Sequence, residues 1–534
     1  MSNAFGRGRA GRAAFPSPVA FECGPWVGVR DLTEPTAGKR NLLSGSQNMY
    51  PTSPDLGGGY VGRPGFTRAD TTQQLGSLGA RRHQLFTEFT KLDGTKYRVV
   101  IAGGKFYTYN WGTGVLTEQT LGGSLALSTT ARVYAVVFAD FLILSDGVSK
   151  PISWSGAAFA ELTNCPVLYG SPWIYYGKMF GIKSAERSAI VWSEEADPTL
   201  GYEAGGYNNA WTLGQTDQDQ LTAGVGFNES MVVFRARSMT QILGAVNDDF
   251  QGSGTRDGIS ETIGTSSPDS LVVVGKTVYF VDSDGRPQRY TVNGGIDDDP
   301  AIWENCQVTI ASIQSDQLEV IRGAYYPTID MVLFAVPGLG LTDPSFLLAF
   351  DGTTGRYVSA WTGFPLTAFG FWTDADNLVR MLHGDTDGYP YLHGIPGGTT
   401  YNDGLVAGDE AIEHIVESSP LGYDVMLEKQ WDRIDVGIIA GTALTDVRVR
   451  MATSFGYSPE QVLEFAGGIA LWDDALWDVA VWSGEASEQH GDVGTDAIGR
   501  WCRIRVTHAV LGEGFGMIRM AIQAFALGTH PRAP

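Results

Sequence analysis

The feature that most constrains this fold is a unit that recurs from about residue 81: an apolar run, a tight turn and a second apolar run. KYRVVIAGGKFYTYN (96–110) turns at Gly103–Gly104, and VYAVVFADFLILSDG (133–147) turns at Ala139–Asp140. Seven such units follow one another at intervals of roughly 35–53 residues, the range of a propeller blade. Strands such as VVFADFLIL lack polar alternation, as expected where both faces of a sheet are covered. The repeat predicts an all-β chain with a β-propeller of six or seven blades over residues 81–405.

Composition agrees with a fold rich in strands and turns. Glycine accounts for 69 of the 534 residues and aromatic residues for 11%, while charged residues make up only 18%, against about 25% in an average globular chain. A further tight turn is expected at Gly275–Lys276. Only residues 307–322 and 408–417 have patterns that could form short helices.

The two ends of the chain differ from the repeats. After about residue 405, segments such as LEKQWDRIDVGIIAG (427–441) and WCRIRVTHAV (501–510) alternate apolar and polar residues along strands of similar length. That pattern predicts a two-sheet β-sandwich over residues 406–534. Residues 1–80 show no such period and contain seven prolines, which predicts an extended, irregular N-terminal arm.

One segment of the arm, GGGYVGRPGF (57–66), is too rich in glycine for a helix or an ordinary strand. It nevertheless carries Tyr60, Val61 and Phe66, three apolar side chains that a solvated linker would not need. The segment therefore combines an irregular backbone with apolar anchors.

Charge separates the first residues from the rest of the chain. The formal net charge is −22 and the isoelectric point is near 4.7. An acidic surface does not bind phosphates tightly, because that requires clustered Lys and Arg, but an acidic wall would let DNA slide past it. The exception is the basic start of the arm, where Arg7, Arg9 and Arg12 are available to contact DNA or an acidic partner.

Cysteine spacing and hydropathy indicate where the chain is made. The four cysteines lie more than a hundred residues apart, so we expect free thiols in a reducing compartment rather than a disulfide scaffold or a zinc site. No apolar run is long enough for a membrane span of about 18 residues, and the N-terminus lacks the apolar core of a signal peptide. The sequence predicts a soluble protein without a membrane-spanning segment, made in a cytoplasm.

Motifs that would carry chemistry are weak. GRGRAG (6–11) has the G-x-G-x-x-G spacing of a dinucleotide-binding loop, but nothing before it could form the strand that such a loop requires. The D-x-D-G turns at 282–285 and 385–388 resemble the start of a calcium loop without its downstream carboxylate, and Asp-Gly also favours hairpin turns. His383 and His393, ten residues apart in one predicted hairpin, are expected at the surface or in a turn. We therefore predict no enzyme, and no catalytic, cofactor-binding or metal-binding residues.

Seven segments stand out in order along the chain: NLLSGSQNMYP (41–51), GRPGF (62–66), SDGVSKPISWSG (145–156), IVWSEEADPTLGYEAGG (190–206), MVVFRARSMTQILG (231–244), SFLLAFDGTTGRYVSAW (345–361) and WDDALWDVAVW (472–482). Together they resemble segments of tail nozzle or tail hub proteins of short-tailed bacteriophages, a family of virion proteins built on a β-propeller.

The resemblance implies a structural subunit rather than an enzyme. It implies a homo-oligomeric ring, a hexamer by resemblance, around the DNA exit channel, with a role in genome retention and ejection. Other tail proteins (adaptor and fibres) would be partners, and phage DNA would pass through the lumen without specific binding. Tyr60, Val61 and Phe66 would pack the arm onto the propeller or the adjoining subunit. The protein would be synthesised in the host bacterial cytoplasm and reside in the virion.

Two other functions stay open at the level of the sequence. A carbohydrate-binding or glycoside-cleaving β-propeller protein would use carboxylates that only their separation in space could identify. A tail-fibre docking or head–tail adaptor protein is the second.

Overall fold

The computed structural model describes residues 19–23, 26, 29–30, 43–51, 59–69, 82–204, 207–213, 219–227, 230–244, 255–292, 295–296, 302–364, 366–385, 388–396, 400–405, 408–421, 428–440, 444–465 and 488–526. Strand covers 60% and helix 4% of this structure, so the chain is all-β as the repeat predicts. No helix in these ranges is both long enough and apolar enough to cross a membrane.

Five short strands lie in the part of the chain that the sequence assigns to the arm: β1 Val19–Cys23, β2 Leu43–Gln47, β3 Met49–Pro51, β4 Tyr60–Gly62 and β5 Phe66–Arg68. β3 and β4 pair with each other, and β1, β2 and β5 pair with strands from much later in the chain. The strands of the arm are therefore part of sheets that also contain strands from much later in the chain.

Five antiparallel sheets follow, each formed by consecutive strands, with β18 added to the third. Their strands are β6 His83–Thr90, β7 Lys96–Ala102, β8 Lys105–Asn110, β9 Val115–Gln119; β10 Tyr134–Phe138, β11 Phe141–Ser145, β12 Ile152–Trp154, β13 Phe159–Glu161; β14 Leu168–Tyr175, β15 Lys178–Lys183, β16 Ala189–Glu194, β17 Asp197–Gly201, β18 Ala210–Thr212; β19 Leu221–Phe227, β20 Ser230–Arg235, β21 Met239–Leu243, β22 Thr255–Ser260; and β23 Val272–Val274, β24 Thr277–Val281, β25 Pro287–Thr291, β26 Gly295–Ile296. The turns predicted at Gly103–Gly104, Ala139–Asp140 and Gly275 have the positive φ angles of tight hairpin turns.

Two more sheets complete the series. Short helical turns at Ile302–Asn305, α1 Gln307–Ile310 and Leu318–Val320 precede the sixth sheet, so only fragments of the predicted 307–322 helix form. The remaining strands are β27 Arg322–Tyr326, β28 Met331–Pro337, β29 Pro344–Asp351 and β30 Tyr357–Trp361 in the sixth sheet, with the turn Pro327–Ile329, and β31 Ala368–Thr373, β32 Val379–Gly384 and β33 Pro390–His393 in the seventh. The arm strand β5 pairs with β33 and adds the fourth strand of the seventh sheet.

The sheets pack side by side in a ring. First strands of neighbouring sheets contact each other, as β10 contacts β14, and β31 of the seventh sheet contacts β6 of the first. Phe86 and Val100 from the first sheet share a buried cluster with Trp372 and Leu382 from the seventh. These sheets therefore form a closed β-propeller.

Two further sheets follow the propeller. The strands β34 Asn402–Leu405 and β35 Gly408–Ala411 extend the seventh sheet beyond β5. The two further sheets contain β36 His414–Ser418, β37 Lys429–Ala440, β38 Leu444–Thr453, β39 Gly456–Tyr457, β40 Gln461–Phe465, β41 Glu488–Gly499, β42 Cys502–His508 and β43 Phe515–Ala526, together with strands of the arm. One sheet has the order β3-β4-β43-β37-β41, with β1 also on β43, and the other has the order β2-β36-β42-β38 with β39 and β40 on β38. Val447, Val449 and Met451 are buried and Arg448 and Arg450 are exposed, which is the predicted alternation.

Two sequence predictions are corrected here. The helix predicted over 408–417 is wrong, because this stretch forms β35 and β36 and buries His414, Val416 and Ser418 with a period of two. The boundary at residue 80 does not separate the arm from the propeller, because β5 is part of the seventh sheet. β2 likewise pairs with both β30 and β36 and joins the sixth sheet to a C-terminal sheet.

Replacing Gly104 with Ala should destabilise the protein more than replacing Gly275 with Ala. Both glycines have positive φ, 74° and 61°, which costs an L residue about 1–2 kcal/mol. A Cβ at Gly104 would also lie 2.6 Å from the carbonyl oxygen of Leu127, whereas a Cβ at Gly275 would have no described heavy atom within 4 Å. We expect the midpoint of thermal unfolding to fall further for the Gly104 variant. Equal decreases in the unfolding midpoint of the two variants would contradict the close contact between Gly104 and the carbonyl of Leu127, in the segment between the first and second sheets.

Candidate functional site: the arm junction

The arm junction is the stretch 59–66 together with the residues that contact it. β4 pairs with β43, with Tyr60 opposite Met517, and β5 begins at Phe66 in the seventh sheet. The chain thus passes from a C-terminal sheet to the propeller through residues 63–65 alone. That abrupt change of sheet accounts for the irregular backbone of this segment.

The predicted anchors pack inside their own chain. Tyr60 is 1% and Phe66 0% exposed, and Val61 is partly buried against the same core. The Tyr60 ring meets Trp26 edge-on at 6.3 Å, and the Phe66 ring meets Phe364 edge-on at 5.6 Å. Tyr60 and Phe66 therefore pack the arm onto its own chain.

Gly65 shows how closely the arm approaches the strands beside it. A Cβ at this position would lie 2.0 Å from the carbonyl oxygen of Asn402, so no other residue fits without a backbone shift. The N–H of Gly65 donates to the carbonyl of Thr400 at 2.8 Å, and its carbonyl accepts from the N–H of Gly394 at 2.8 Å. The arm is thus bonded to the chain on both sides of it.

Arg63 is the centre of the arm junction. Its buried guanidinium makes a bidentate ion pair with Asp403, with Nη1 to Oδ1 at 2.9 Å and Nη2 to Oδ2 at 2.5 Å. Nε donates to Oδ1 of Asn48 at 3.0 Å, Nη2 to the carbonyl of Thr362 at 2.9 Å, and Nη1 to the carbonyl of Pro64 at 3.3 Å. Each of the five N–H groups of the guanidinium therefore has an acceptor.

These partners come from separate parts of the chain. Asn48 lies between β2 and β3, Thr362 follows β30, and Asp403 is in β34. Asn48 adds a second link, because its Nδ2 donates to the carbonyl of Glu413 at 2.8 Å and its Oδ1 accepts from the N–H of Thr362 at 2.7 Å. Arg63 therefore joins the arm, the end of the sixth sheet and strand β34 of the seventh sheet to one another.

A pair of histidines lies next to this ion pair. Nδ1 of His383 and Nε2 of His393 are 2.9 Å apart, so one ring donates to the other. The Phe66 ring meets His383 edge-on at 4.6 Å, and His383 stacks on Tyr391 at 4.8 Å. Burial lowers the pKa of both imidazoles well below the ordinary value, and the charge of Arg63 lowers it further. The expectation that these histidines lie at the surface or in a turn is wrong, since both are 0% exposed.

Sequence reasoning missed the residues that carry the junction. An arginine between apolar anchors is a signal that could have identified Arg63, because a buried charge needs a partner. Asp403, which lies 340 positions away, has no comparable signal.

The predicted contact residues Arg7, Arg9 and Arg12 lie outside the described residues. All four cysteines are buried free thiols, as their spacing predicts.

The D-x-D-G turn at 282–285 is stabilised by hydrogen bonds to the carboxylate of Asp282 from its own turn and from strand β25. Asp282 Oδ1 accepts from the N–H groups of Asp284 and Arg286 at 2.9 and 2.8 Å, and its Oδ2 accepts from Gln288 Nε2 at 2.8 Å. Asp385 likewise accepts hydrogen bonds within its own turn. Burial raises the pKa of Asp282. Within the described ranges, no three His, Cys, Asp or Glu side chains are grouped as a metal site requires.

Comparison with known proteins gives a likeness of fold and no family. No family model and no curated protein sequence matches the chain. Similar solved structures include BamB from Moraxella catarrhalis, with a TM-score of 0.34 and 11% identity over 58% of this chain and 83% of that chain. They also include the Pan2 WD40 domain of Neurospora crassa, with a TM-score of 0.37 and 9% identity over 64% of this chain and 97% of that chain. At these scores the likeness carries no argument about function.

Replacing Arg63 with Met should destabilise the protein by about 3–5 kcal/mol, because Asp403 would be left buried without its partner. The double variant Arg63→Met, Asp403→Leu should regain part of that loss, since it leaves no unpaired charge. The control is Arg448→Met, which breaks a half-exposed ion pair with Asp446 of 2.7 Å and should lower the stability much less, because exposed ion pairs contribute little. Urea unfolding followed by tryptophan fluorescence measures all three. A loss at Arg63 no larger than that at Arg448 would show that the junction is not a strong constraint.

Stability should fall as the pH drops below about 6.5, the pKa of histidine in an unfolded chain. The folded protein keeps His83, His383 and His393 neutral, with a pKa of about 4 for His83, while the unfolded chain takes up protons. Each histidine then contributes a loss of up to about 1.4 kcal/mol per pH unit, in the interval between its folded and unfolded pKa values. His393→Gln should flatten this dependence in urea unfolding. An unaltered pH dependence in the His393 variant would contradict the prediction.

Proposed function

We propose that this chain is a structural subunit of a bacteriophage tail, of the nozzle or hub type. In this proposal a seven-bladed propeller, closed by the arm strand β5, is joined to a C-terminal two-sheet sandwich. Copies of the subunit form a ring around the DNA exit channel and take part in retaining and ejecting the genome. The protein acts in the virion, without enzymatic activity or a cofactor.

The arm junction is the observation that carries the proposal. Domains joined by a simple linker move relative to one another by default. Here β2 pairs with β30 of the sixth sheet and with β36 of a C-terminal sheet, and Arg63, directly after the β4 strand that pairs with β43, contacts Thr362 and Asp403. A fixed relation between its parts is what a ring subunit needs when different neighbours bind different parts of it and a channel has to stay open.

Exposed apolar side chains support assembly with further copies of the chain. In the sheet that contains β38, Val462 lies opposite Arg448 and Tyr457 opposite Ala452, so the two apolar side chains share a face. Val462 is 55%, Tyr457 71% and nearby Phe455 62% exposed. Exposed apolar patches of this kind mark protein interfaces, and a ring closes through contacts between two different surfaces of each subunit.

Net charge supports a passive channel. A subunit with a formal charge of −22 repels phosphates at close range, while Lys and Arg along a lumen would hold DNA in a salt-dependent way. DNA would therefore pass without specific binding, and the basic residues Arg7, Arg9 and Arg12 would contact DNA or an acidic neighbour near the arm.

Purified or particle-derived protein should form rings, with six subunits by resemblance. Tyr457→Ser together with Val462→Ser should strongly reduce ring formation without unfolding the chain, because both side chains are more than half exposed. Leu92→Ser, at a 91% exposed propeller turn, is the control and should leave rings intact. Mass photometry and electron microscopy give the readout. Monomers of the unaltered chain, with no ring in virion images, would contradict the proposal.

Oligosaccharide titration separates this proposal from a carbohydrate-binding propeller. A tail subunit of this kind should show no saturable binding to a panel of bacterial surface oligosaccharides. Saturable binding of one of them would favour the alternative.

A further inference from the structure

A cavity of about 460 Å³ opens where the first strands of several propeller sheets begin. Its walls come from the starts of β6, β10 and β14 and from the segments that lead into β23, β27 and β31. Because first strands surround the axis of a propeller, the cavity lies on that axis. It is separate from the arm junction.

The charge of this cavity is opposite to that of the whole chain. Three arginines line it, Arg82, Arg132 and Arg187, and one carboxylate, that of Glu319. Arg82 is paired with Asp343. The chain as a whole has 59 acidic and 37 basic residues, so a group of arginines at one point on the axis is not a consequence of composition.

Of the three arginines that line the cavity, Arg132 and Arg187 have their charge less compensated than Arg82. Arg132 donates to the carbonyls of Val320 and Ile321, and its nearest carboxylate, Asp269, is 4.0 Å away. Arg187 donates to the carbonyl of Leu221 at 3.0 Å. Within the described part of the chain, no carboxylate lies within 4.0 Å of the Arg187 guanidinium.

Aromatic walls and hydroxyl groups accompany these arginines. The guanidinium of Arg187 lies over the ring of Tyr169, 3.7 Å from its centroid. Tyr134 and Thr367 also line the cavity. Stacking on a ring leaves the edge of a guanidinium, with its N–H groups, directed away from that ring.

A fourth arginine lies next to the cavity. Arg322 is 5% exposed and pairs with Asp269, which leaves that carboxylate shared between two guanidinium groups. Its Nη1 is buried, and no group in the described ranges accepts a hydrogen bond from it. Burial and the like charge of Arg322 lower the pKa of Arg132 to about 10, so Arg132 remains charged at neutral pH.

We propose that this cavity binds a small ligand through an oxyanion group, a phosphate or a carboxylate, with Arg132 and Arg187 as its direct partners. Guanidinium groups bind both oxyanions through paired N–H donors. The tyrosines would enclose the remainder of a ligand that fits within about 460 Å³.

A purely structural role predicts a different environment. Arg63, which is structural, has a bidentate carboxylate and an acceptor for each N–H group. Among the described residues, Arg187 has only a backbone carbonyl as acceptor, and Arg132 has backbone carbonyls and a carboxylate, that of Asp269 at 4.0 Å, which it shares with Arg322, so their charge is not fully neutralised. An oxyanion would supply the missing negative charge.

Isothermal titration calorimetry of the full chain tests this inference, with inorganic phosphate in one arm, citrate in a second, and sodium chloride at matched ionic strength as the reference. We expect saturable binding of at least one of the two anions with one site per chain. Arg187→Gln and Arg132→Gln should each weaken it about tenfold or more, as expected for a hydrogen bond to a charged group. Binding of phosphate alone or of citrate alone identifies the oxyanion.

The matched control is Arg286→Gln, because Arg286 also lies over an aromatic ring, that of Trp303 at 4.9 Å, but does not line this cavity. It should bind the anion as the unaltered chain does. Arg187→Lys keeps the positive charge but not the paired N–H donors, so it should retain more anion binding than Arg187→Gln. Circular dichroism checks that each variant is folded. No saturable binding of either anion, or an equal loss in the Arg286 variant, would overturn the proposal.

Discussion

The buried ion pair between Arg63 and Asp403 is the interaction on which the rest of the architecture depends. A guanidinium removed from water is stabilised only if charge and hydrogen bonds are both compensated. Asn48, Thr362 and Asp403 meet that requirement together, and each belongs to a different part of the chain. The arm cannot leave its place without leaving this charge unpaired or exposed, so one side chain holds the arm against the sixth and seventh sheets.

Chain connectivity closes the propeller. The strand β5 precedes the first sheet in sequence and yet completes the seventh, so opening the ring requires loss of the β5–β33 hydrogen bonds as well as of side-chain packing. The sixth sheet is held in a similar way, because Nε1 of Trp361 donates to the carbonyl of Met49 at 3.0 Å. Strand addition also covers edges that would otherwise present unpaired backbone groups.

The molecule uses arginine in two contrasting ways. At the arm junction every N–H group of Arg63 has an acceptor and the charge is paired, which suits a fixed structural link. On the propeller axis Arg132 and Arg187 are held by backbone carbonyls, and the carboxylate near Arg132, that of Asp269, is shared with Arg322. The difference matters because backbone carbonyls orient a guanidinium, whereas only an anion removes the cost of keeping like charges together. Structure and binding are thus assigned to different arginines.

The sequence by itself determined the local structure. The apolar runs and tight turns such as Ala139–Asp140 are correct because hydrophobic period and turn chemistry act within about ten residues. Tertiary structure alone decided that β5 completes the seventh sheet, that Arg63 meets Asp403 340 positions away, and that His383 and His393 are buried. The stretch 408–417 fits a helix locally but forms strands, because β36 lies between β2 and β42. Such outcomes depend on partners hundreds of residues distant, and local pattern contains no information about which distant strand will be adjacent.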